Sequence, residues 1–157
     1  MIPSVYIETT IPSFYYETRV DPASIAMRDW THEWWYSARG GFDCFVSAAV
    51  VDELENGHHP RKQEKLQLVE ALPWMEVNSE VEEIVAVYLA NYLMPNDSLG
   101  DALHLAIASF HKADYILTWN CKHLANASKR QHIRRINERL RISTPEILTP
   151  LELMEAP

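Results

Sequence analysis

The stretch Asn96–Asn126, NDSLGDALHLAIASFHKADYILTWNCKHLAN, decides the fold class of this chain. Its first half predicts a helix from about Ser98 to Lys112, because apolar residues recur there at helical spacing. These residues are Leu99, Leu103, Ala106, Ile107 and Phe110. Its second half contains a short apolar run, Tyr115–Thr118, of the kind that is buried on both faces in a parallel sheet. A helix that leads into a buried strand indicates an α/β fold.

The remainder of the chain repeats this alternation of short strands and helices. Runs rich in β-forming residues predict further strands at residues 5–7, 42–46, 74–77 and 141–143. Helices are predicted near Pro12 and over residues 21–40, 48–56, 61–72, 79–92 and 128–140, with Ser47 and Ser79 as two of the N-caps. Short buried strands separated by helices imply a parallel sheet covered on both faces. We therefore expect a single α/β domain over residues 1–157.

The composition excludes several classes of protein. With 47% apolar and 23% charged residues, the chain has the balance of an ordinary globular domain. No apolar run approaches the ~18 residues of a membrane span, the N-terminus lacks the basic start of a signal peptide, and no Gly-rich phosphate loop is present. The cysteines Cys44 and Cys121 form no CxxC pair, which suits reduced thiols. We expect a cytoplasmic protein that makes no membrane contact.

Polar side chains recur at the places where an α/β sheet collects ligands. Glu8 and Asn120 each follow a predicted strand, Asp101 lies in the first turn of a helix, and Glu53 lies two turns into another. Because ligands bind at the carboxyl ends of parallel strands, we expect the first three to meet there, with Glu53 reaching in from its helix. Each acid alone also has an ordinary explanation, as an exposed strand end or a favourable charge near a helix N-terminus.

Such a group of acids would form a set of oxygen ligands. Carboxylates that share one pocket raise each other's pKa unless a cation neutralises them. Oxygen ligands without cysteine suit Mg²⁺ or Mn²⁺, and these ions lower the pKa of a bound water and clamp a phosphodiester. The pattern therefore predicts a divalent-metal site for phosphodiester chemistry.

Basic residues are concentrated in one segment of an otherwise acidic chain. The net charge is −8, yet residues 120–141 contain seven Lys and Arg against one acid, Glu138. Such a patch can follow a phosphate backbone, and the candidates for RNA binding are Lys122, Lys129, Arg130 and Arg134. The alternative is a solvated helix face, because Arg134, Glu138 and Arg141 fall at helical spacing.

The helix predicted over residues 21–40 has an unusually aromatic face. Met27, Trp30, Trp34 and Trp35 fall on one stripe. The stripe is expected to pack into the core. The alternative is a dimer or partner surface, because Trp is favoured at the centres of interfaces.

Five short motifs, in order, resemble those of PIN-domain proteins and, among these, the VapC-type toxins of bacterial toxin–antitoxin pairs. They cover nearly the whole chain: VYIETT (5–10), SAAVVDEL (47–54), GDALHLAIA (100–108), ADYILTWN (113–120) and ISTP (142–145). The resemblance implies a PIN-like three-layer α/β/α sandwich with a short parallel sheet of about five strands. It also implies a metal-dependent endoribonuclease that forms a homodimer and binds a cognate antitoxin.

Carried over by resemblance, the catalytic positions are Glu8, Glu53, Asp101 and Asn120, of which the three acids would bind Mg²⁺ or Mn²⁺. The sequence departs from the family pattern at Glu8 and Asn120, where Asp is usual. Fewer negative charges weaken the binding of a hard cation. Possible accessory residues are Asp97, Thr118 and His123, the last as a softer ligand or a proton donor. A second hypothesis is therefore a non-catalytic PIN-like module that binds RNA or a protein.

Overall fold

A computed structural model describes residues 1–94 and 99–155. Within these residues the chain forms a parallel sheet of four strands: β1 (Ser4–Ile7), β2 (Asp43–Phe45), β3 (Tyr115–Leu117) and β4 (Glu146–Leu148). Their order across the sheet is β2-β1-β3-β4, and every pairing is parallel. The central strand β1 is the most deeply buried, with Val5, Tyr6 and Ile7 all at 0% exposure. The predicted α/β class is confirmed.

Helices flank this sheet. They are α1 (Thr10–Tyr15), α2 (Pro22–Glu33), α3 (Ala48–Asn56), α4 (Lys62–Glu70), α5 (Ser79–Ala90), α6 (Leu99–Phe110), α7 (Ala127–Leu140) and α8 (Pro150–Glu155). Helix α6 packs on α5, α3 and β3, whereas α1, α2 and α8 form a second packed group. None of the described helices is long and apolar enough to cross a membrane.

The strand predicted over residues 74–77 is reduced to a single bridge. Trp74 pairs with Val46 in parallel orientation, and the Met75 N–H donates to the Val46 carbonyl at 2.8 Å. Pro73 precedes the bridge and has no N–H to donate, and the Trp74 side chain is 55% exposed. A fifth strand position therefore exists beside β2, but only as a short edge.

The last predicted strand, residues 141–143, is wrong. The chain leaves α7 through Arg141 in the left-handed region, with φ of 59°, and pairs with β3 only from Glu146 onward. Asn137 Nδ2 donates to the Ser143 carbonyl at 3.2 Å and to Thr144 Oγ1 at 3.1 Å. These side-chain bonds hold the segment as a helix exit and leave it out of the sheet.

Two predicted N-caps also differ in detail. Ser47 occupies the N-cap position of α3 but makes no capping hydrogen bond, because its hydroxyl lies 2.8 Å from the Tyr6 hydroxyl. Helix α5 is capped by Asn78, whose side chain accepts from the Val81 N–H at 2.9 Å, one residue earlier than predicted.

The aromatic stripe of the second helical region divides between core and surface. Trp34 and Trp35, in a π-helical turn that continues α2, are buried. Trp30 is half-buried and stacks on Trp119 with ring centroids 6.2 Å apart. The core prediction is confirmed for Trp34 and Trp35, whereas Trp30 lies partly at the surface.

The strand order fixes where a ligand can bind. From β1 the chain moves to β2 on one side of the sheet, and β3 lies on the other side. Open α/β sheets bind ligands in the crevice at such a switch point, beyond the carboxyl ends of the strands. The crevice lies between the segments that follow Ile7 and Leu117, which carry Glu8 and Asn120.

Candidate functional site

Glu8 stands at the carboxyl end of the central strand. Its N–H donates to the Leu117 carbonyl at 3.1 Å and so continues the ladder between β1 and β3. Its side chain is buried, and Oε1 accepts hydrogen bonds from the backbone N–H and hydroxyl of Thr10 and from the hydroxyl of Thr118. Burial raises the pKa of Glu8 above its usual range, although the positive charge of His104 and these hydrogen bonds act in the opposite direction.

Asp101 lies in the first turn of α6, where its charge is favoured by the helix dipole. Its Oδ1 accepts from Asn120 Nδ2 at 2.9 Å. Two further hydrogen bonds fix Asn120. Its backbone N–H donates to Thr118 Oγ1, and its side-chain Oδ1 accepts from the His123 N–H at 3.0 Å. Burial raises the pKa of Asp101, opposed by the nearby histidines 123 and 104.

Glu53 reaches the same edge from α3, as predicted. Its Oε1 accepts from Thr9 Oγ1 at 3.1 Å and forms a short hydrogen bond with His104 Nε2. A Cβ on Gly100 would lie 3.5 Å from Oε2 of Glu53, so α6 starts directly against this carboxylate. Burial acts to raise the pKa of Glu53, but the hydrogen bonds from His104 and Thr9 outweigh it and hold that pKa below its usual range.

His104 is the site residue that the sequence analysis missed. It lies three residues after Asp101 on α6 and is fully buried. Its Nδ1 is 2.6 Å from the Tyr6 hydroxyl, and its Nε2 bonds Glu53. Burial acts to lower the pKa of His104, but Glu53 and the other two acids, Glu8 and Asp101, raise it overall. The one sequence signal was its spacing of three from Asp101, which places both on one helix face.

The structure brings the four predicted catalytic residues to one edge of the sheet. A hydrogen-bonded path joins three of them: the Thr118 hydroxyl donates to Glu8 and accepts from the Asn120 N–H, and the Asn120 amide donates to Asp101. Glu53 joins the group through His104, whose pKa is raised by all three carboxylates. Thr118, predicted as an accessory residue, is therefore the link between the two strand ends.

The donor set fits Mg²⁺ or Mn²⁺ in chemistry, because it consists of carboxylate and amide oxygens. The hydrogen bonds to the acids end on one oxygen each, namely Oε1 of Glu8, Oε1 of Glu53 and Oδ1 of Asp101. The second oxygen of each acid has no such partner among the described residues. No three His, Cys, Asp or Glu side chains in residues 1–94 and 99–155 are already arranged around one ion position. Ion binding would therefore draw the three carboxylates together.

Two predicted accessory residues remain, His123 and Asp97. His123 lies in the turn after Asn120, close enough for its charge to lower the pKa of Asp101. The ring Nδ1 of His123 is buried without a hydrogen-bond partner among the described residues. Asp97 lies outside the described residues.

The basic residues follow the site along the chain. Lys122 is exposed in the turn two residues after Asn120, and Lys129, Arg130 and Arg134 lie on the first two turns of α7. Arg130 and Arg134 line a cavity of about 150 Å³ between α7 and β4. None of the ion pairs found among the described residues involves these four side chains. Arg130 differs from the other three, because its Nε is buried and its Nη2 donates to the Ile147 carbonyl at 3.4 Å.

Three solved structures share this architecture. Mycobacterium tuberculosis VapC20, described as a Sarcin-Ricin loop cleaving toxin, superposes with a TM-score of 0.54 at 17% identity, over 72% of this chain and 87% of its own. A toxin–antitoxin complex from Klebsiella pneumoniae gives 0.55 at 16% identity, over 94% and 98%. The chain has a PIN-like fold. FitAcB from Neisseria gonorrhoeae shares it, with a TM-score of 0.55 at 13% identity, over 94% and 98% of the two chains. No family model and no curated protein matches this PIN-like chain in sequence.

Proposed function

We propose that this PIN-like protein is a divalent-metal-dependent endoribonuclease and the toxin of a toxin–antitoxin pair. The observation that carries the proposal is the convergence of Glu8, Glu53 and Asp101, with Asn120, at the switch point of the sheet. Phosphodiester cleavage needs a concentrated set of oxygen ligands at one place. The likeness of the fold to a toxin that cleaves the Sarcin-Ricin loop supports RNA as the substrate class.

In this proposal Glu8, Glu53 and Asp101 hold Mg²⁺ or Mn²⁺ through the oxygens that the protein leaves without a partner. A bound ion supplies Lewis acidity towards the phosphodiester and its leaving oxygen. The protein's own groups set the geometry: Thr10 and Thr118 orient the Glu8 carboxylate, and Asn120 orients Asp101.

The two departures from the family pattern are compatible with this role. Glu8 is one methylene longer than Asp, and the hydroxyls of Thr10 and Thr118 hold its carboxylate at that longer reach. Asn120 brings no charge, but its amide donates to Asp101 and so fixes an anionic ligand that a second Asp would repel.

RNA would be held by Lys122, Lys129, Arg130 and Arg134, which extend from the site along α7. Because cleavage of RNA must be restrained in the cell that makes the enzyme, a cognate antitoxin is the expected protein partner. The likeness to a toxin–antitoxin complex supports this expectation. We further propose a homodimer that acts in the cytoplasm, where its RNA substrate is found.

One observation favours a second candidate, a non-catalytic module that binds RNA or a protein. The three carboxylates are bonded to protein donors, and within the described residues no ready-made set of metal ligands exists. The two candidates differ in a simple measurement, the affinity of the site for a divalent ion.

Isothermal titration of Mn²⁺ and Mg²⁺ into antitoxin-free protein tests the proposal. Wild type should bind, and Asp101→Asn should not, because the change removes a ligand charge and keeps an acceptor for Asn120. Asp52→Asn is the matched control, since Asp52 is an exposed acid on α3 beside Glu53. RNA cleavage should follow the same order, with loss only in Asp101→Asn. No binding by wild type at millimolar ion would contradict the proposal and favour the non-catalytic candidate.

A further inference from the structure

A chain of hydrogen-bonded polar groups runs through the core beneath the site. The Ser47 hydroxyl lies 2.8 Å from the Tyr6 hydroxyl, which lies 2.6 Å from His104 Nδ1. All three residues are at 0% exposure. Replacing both partners of a buried hydrogen bond by apolar groups of the same shape can be neutral or stabilising, and phenylalanine and leucine at positions 6 and 104 would fill similar space. We therefore expect these three hydrogen-bonded side chains to have a role other than packing.

The chain ends on the Glu53 carboxylate. A carboxylate only accepts hydrogen bonds, so His104 Nε2 must carry the proton that it shares with Glu53. This holds whether the ring is neutral or charged, because the Tyr6 hydroxyl can donate to Nδ1 or accept from it while Ser47 takes the complementary role. Both ring nitrogens are thus committed to protein partners, and His104 has no free nitrogen to offer a metal.

Glu53 needs such an anchor. It projects from α3 with a side chain that is 44% exposed, and a long exposed side chain loses rotamer freedom when it is fixed. Thr9 and His104 both bond the same oxygen, Oε1. The second oxygen, Oε2, has no hydrogen-bond partner among the described residues. The carboxylate lies against the start of α6, where a Cβ of Gly100 would be 3.5 Å from Oε2 and 3.7 Å from Oε1, one residue before Asp101.

We propose that His104, braced by Tyr6 and Ser47, is the positioning residue that fixes Glu53 with Oε2 directed into the site. The inference rests on the proposed function, because it concerns the placement of a metal-binding carboxylate. Residues that orient the ligands of a metal raise its affinity without touching it, and their loss typically weakens binding by about 10–100-fold.

The test compares two buried tyrosines. Tyr6→Phe removes the brace of His104, whereas Tyr88→Phe removes a hydroxyl that is equally buried and bonds Asn137 at 2.6 Å, away from the site. Both should lower the melting temperature of metal-free protein, because each leaves a buried polar group without its partner. Only Tyr6→Phe should also weaken Mn²⁺ binding in titration calorimetry, by about tenfold or more.

A second pair of variants separates the role of the Nε2 proton from packing. His104→Leu should weaken Mn²⁺ binding about 10–100-fold, and His104→Gln should recover most of the affinity, because its amide places an N–H near the Nε2 position. Wild-type affinity in Tyr6→Phe, or no recovery in His104→Gln, would overturn the inference.

A readout without metal keeps this inference distinct from the proposed function. In proton NMR of metal-free protein, the two γ protons of Glu53 should have separate shifts in wild type and Tyr88→Phe, and averaged shifts in Tyr6→Phe. If wild type binds no Mn²⁺ but this pattern holds, the proposed function fails and the positioning stands. If the γ protons behave alike in all three proteins, His104 does not position Glu53.

Discussion

Asn120 Nδ2 lies 2.9 Å from Asp101 Oδ1 and donates a hydrogen bond to it. A carboxylate in place of this amide would disfavour the ionised form of Asp101, since two carboxylates at that distance raise each other's pKa. The orientation of this pair is fixed, because Asn120 also bonds Thr118 Oγ1 and the His123 N–H. The neutral Asn120 amide therefore stabilises the negative charge of Asp101.

Replacing Asn120 by Asp should make the stability of the fold depend on metal. We expect Asn120→Asp to lower the free energy of unfolding of metal-free protein by about 1–3 kcal/mol, because the half-buried Asp101 carboxylate loses its donor and gains a neighbouring like charge. Adding Mn²⁺ should restore the melting temperature, since a ligand that binds only the folded state stabilises it. Differential scanning calorimetry with and without Mn²⁺ measures both effects.

The control for that experiment is Asn78→Asp. Asn78 caps α5, and Asp is an equally good N-cap, so neither its melting temperature nor its response to Mn²⁺ should change. If Mn²⁺ stabilised Asn120→Asp no more than it stabilises wild type, residue 120 would have no part in a cation site.

Replacing Glu8 by Asp, the shorter acid that is usual at this position in PIN-domain proteins, should reduce activity. Its Oε1 receives hydrogen bonds from Thr10 and Thr118 at the reach of a glutamate, and Glu8→Asp withdraws the carboxylate from both. We expect kcat/KM for RNA cleavage to fall by about 10–100-fold, matching the roughly 1.5–3 kcal/mol of a hydrogen bond to a charged group.

Glu55→Asp is the matched control for this shortening, because Glu55 is exposed on α3 and its loss of one methylene should leave cleavage unchanged. Full activity of Glu8→Asp would mean that the two threonines do not set the position of the first acid.

The basic segment makes a separate prediction about salt. Replacing Lys129, Arg130 and Arg134 by Ala should weaken RNA binding and reduce the slope of log affinity against log salt by about 2, because each phosphate contact to single-stranded nucleic acid contributes about 0.7. Filter binding or fluorescence anisotropy from low to moderate salt, with the inactive Asp101→Asn background, gives the slope.

A control triple removes equal charge elsewhere. Arg19, Arg28 and Arg61 are paired with acids close in sequence, so their replacement by Ala should leave the slope unchanged. An equal change in both triples would show that only net charge matters and that α7 is a solvated helix face.

Much of the fold followed from local patterns in the sequence. The helix that contains Asp101 was predicted from the spacing of its apolar residues, of which Ala106 and Ile107 are fully buried and Leu103 and Phe110 are partly buried. The strand that follows was predicted from a short apolar run, in which Ile116 and Leu117 are fully buried. The placement of Glu8 and Asn120 at one edge followed from the same logic, since the parallel strands β1 and β3 end there.

Two features that the sequence could not provide depend on side-chain hydrogen bonds. Residues 141–143 have the composition of a strand, and only the side chain of Asn137 shows that they form a helix exit. His104 occupies an apolar helix face, and its role is visible only when β1 places Tyr6 and α3 places Glu53 beside it. In both cases side-chain hydrogen bonds override the local pattern of the sequence.

The aromatic face beyond Glu33 makes the last prediction. Trp34 is fully buried and packs against Phe42 and Trp35, so Trp34→Ala should lower the free energy of unfolding by about 3–5 kcal/mol. Trp30 is half-buried and stacks on Trp119, so Trp30→Ala should cost clearly less, because part of its surface is already in water. Urea denaturation followed by circular dichroism measures both, at two protein concentrations. An equal loss in the two variants, with the loss in Trp30→Ala shrinking as the protein is diluted, would place Trp30 in a dimer interface, since dimer stability rises with protomer concentration.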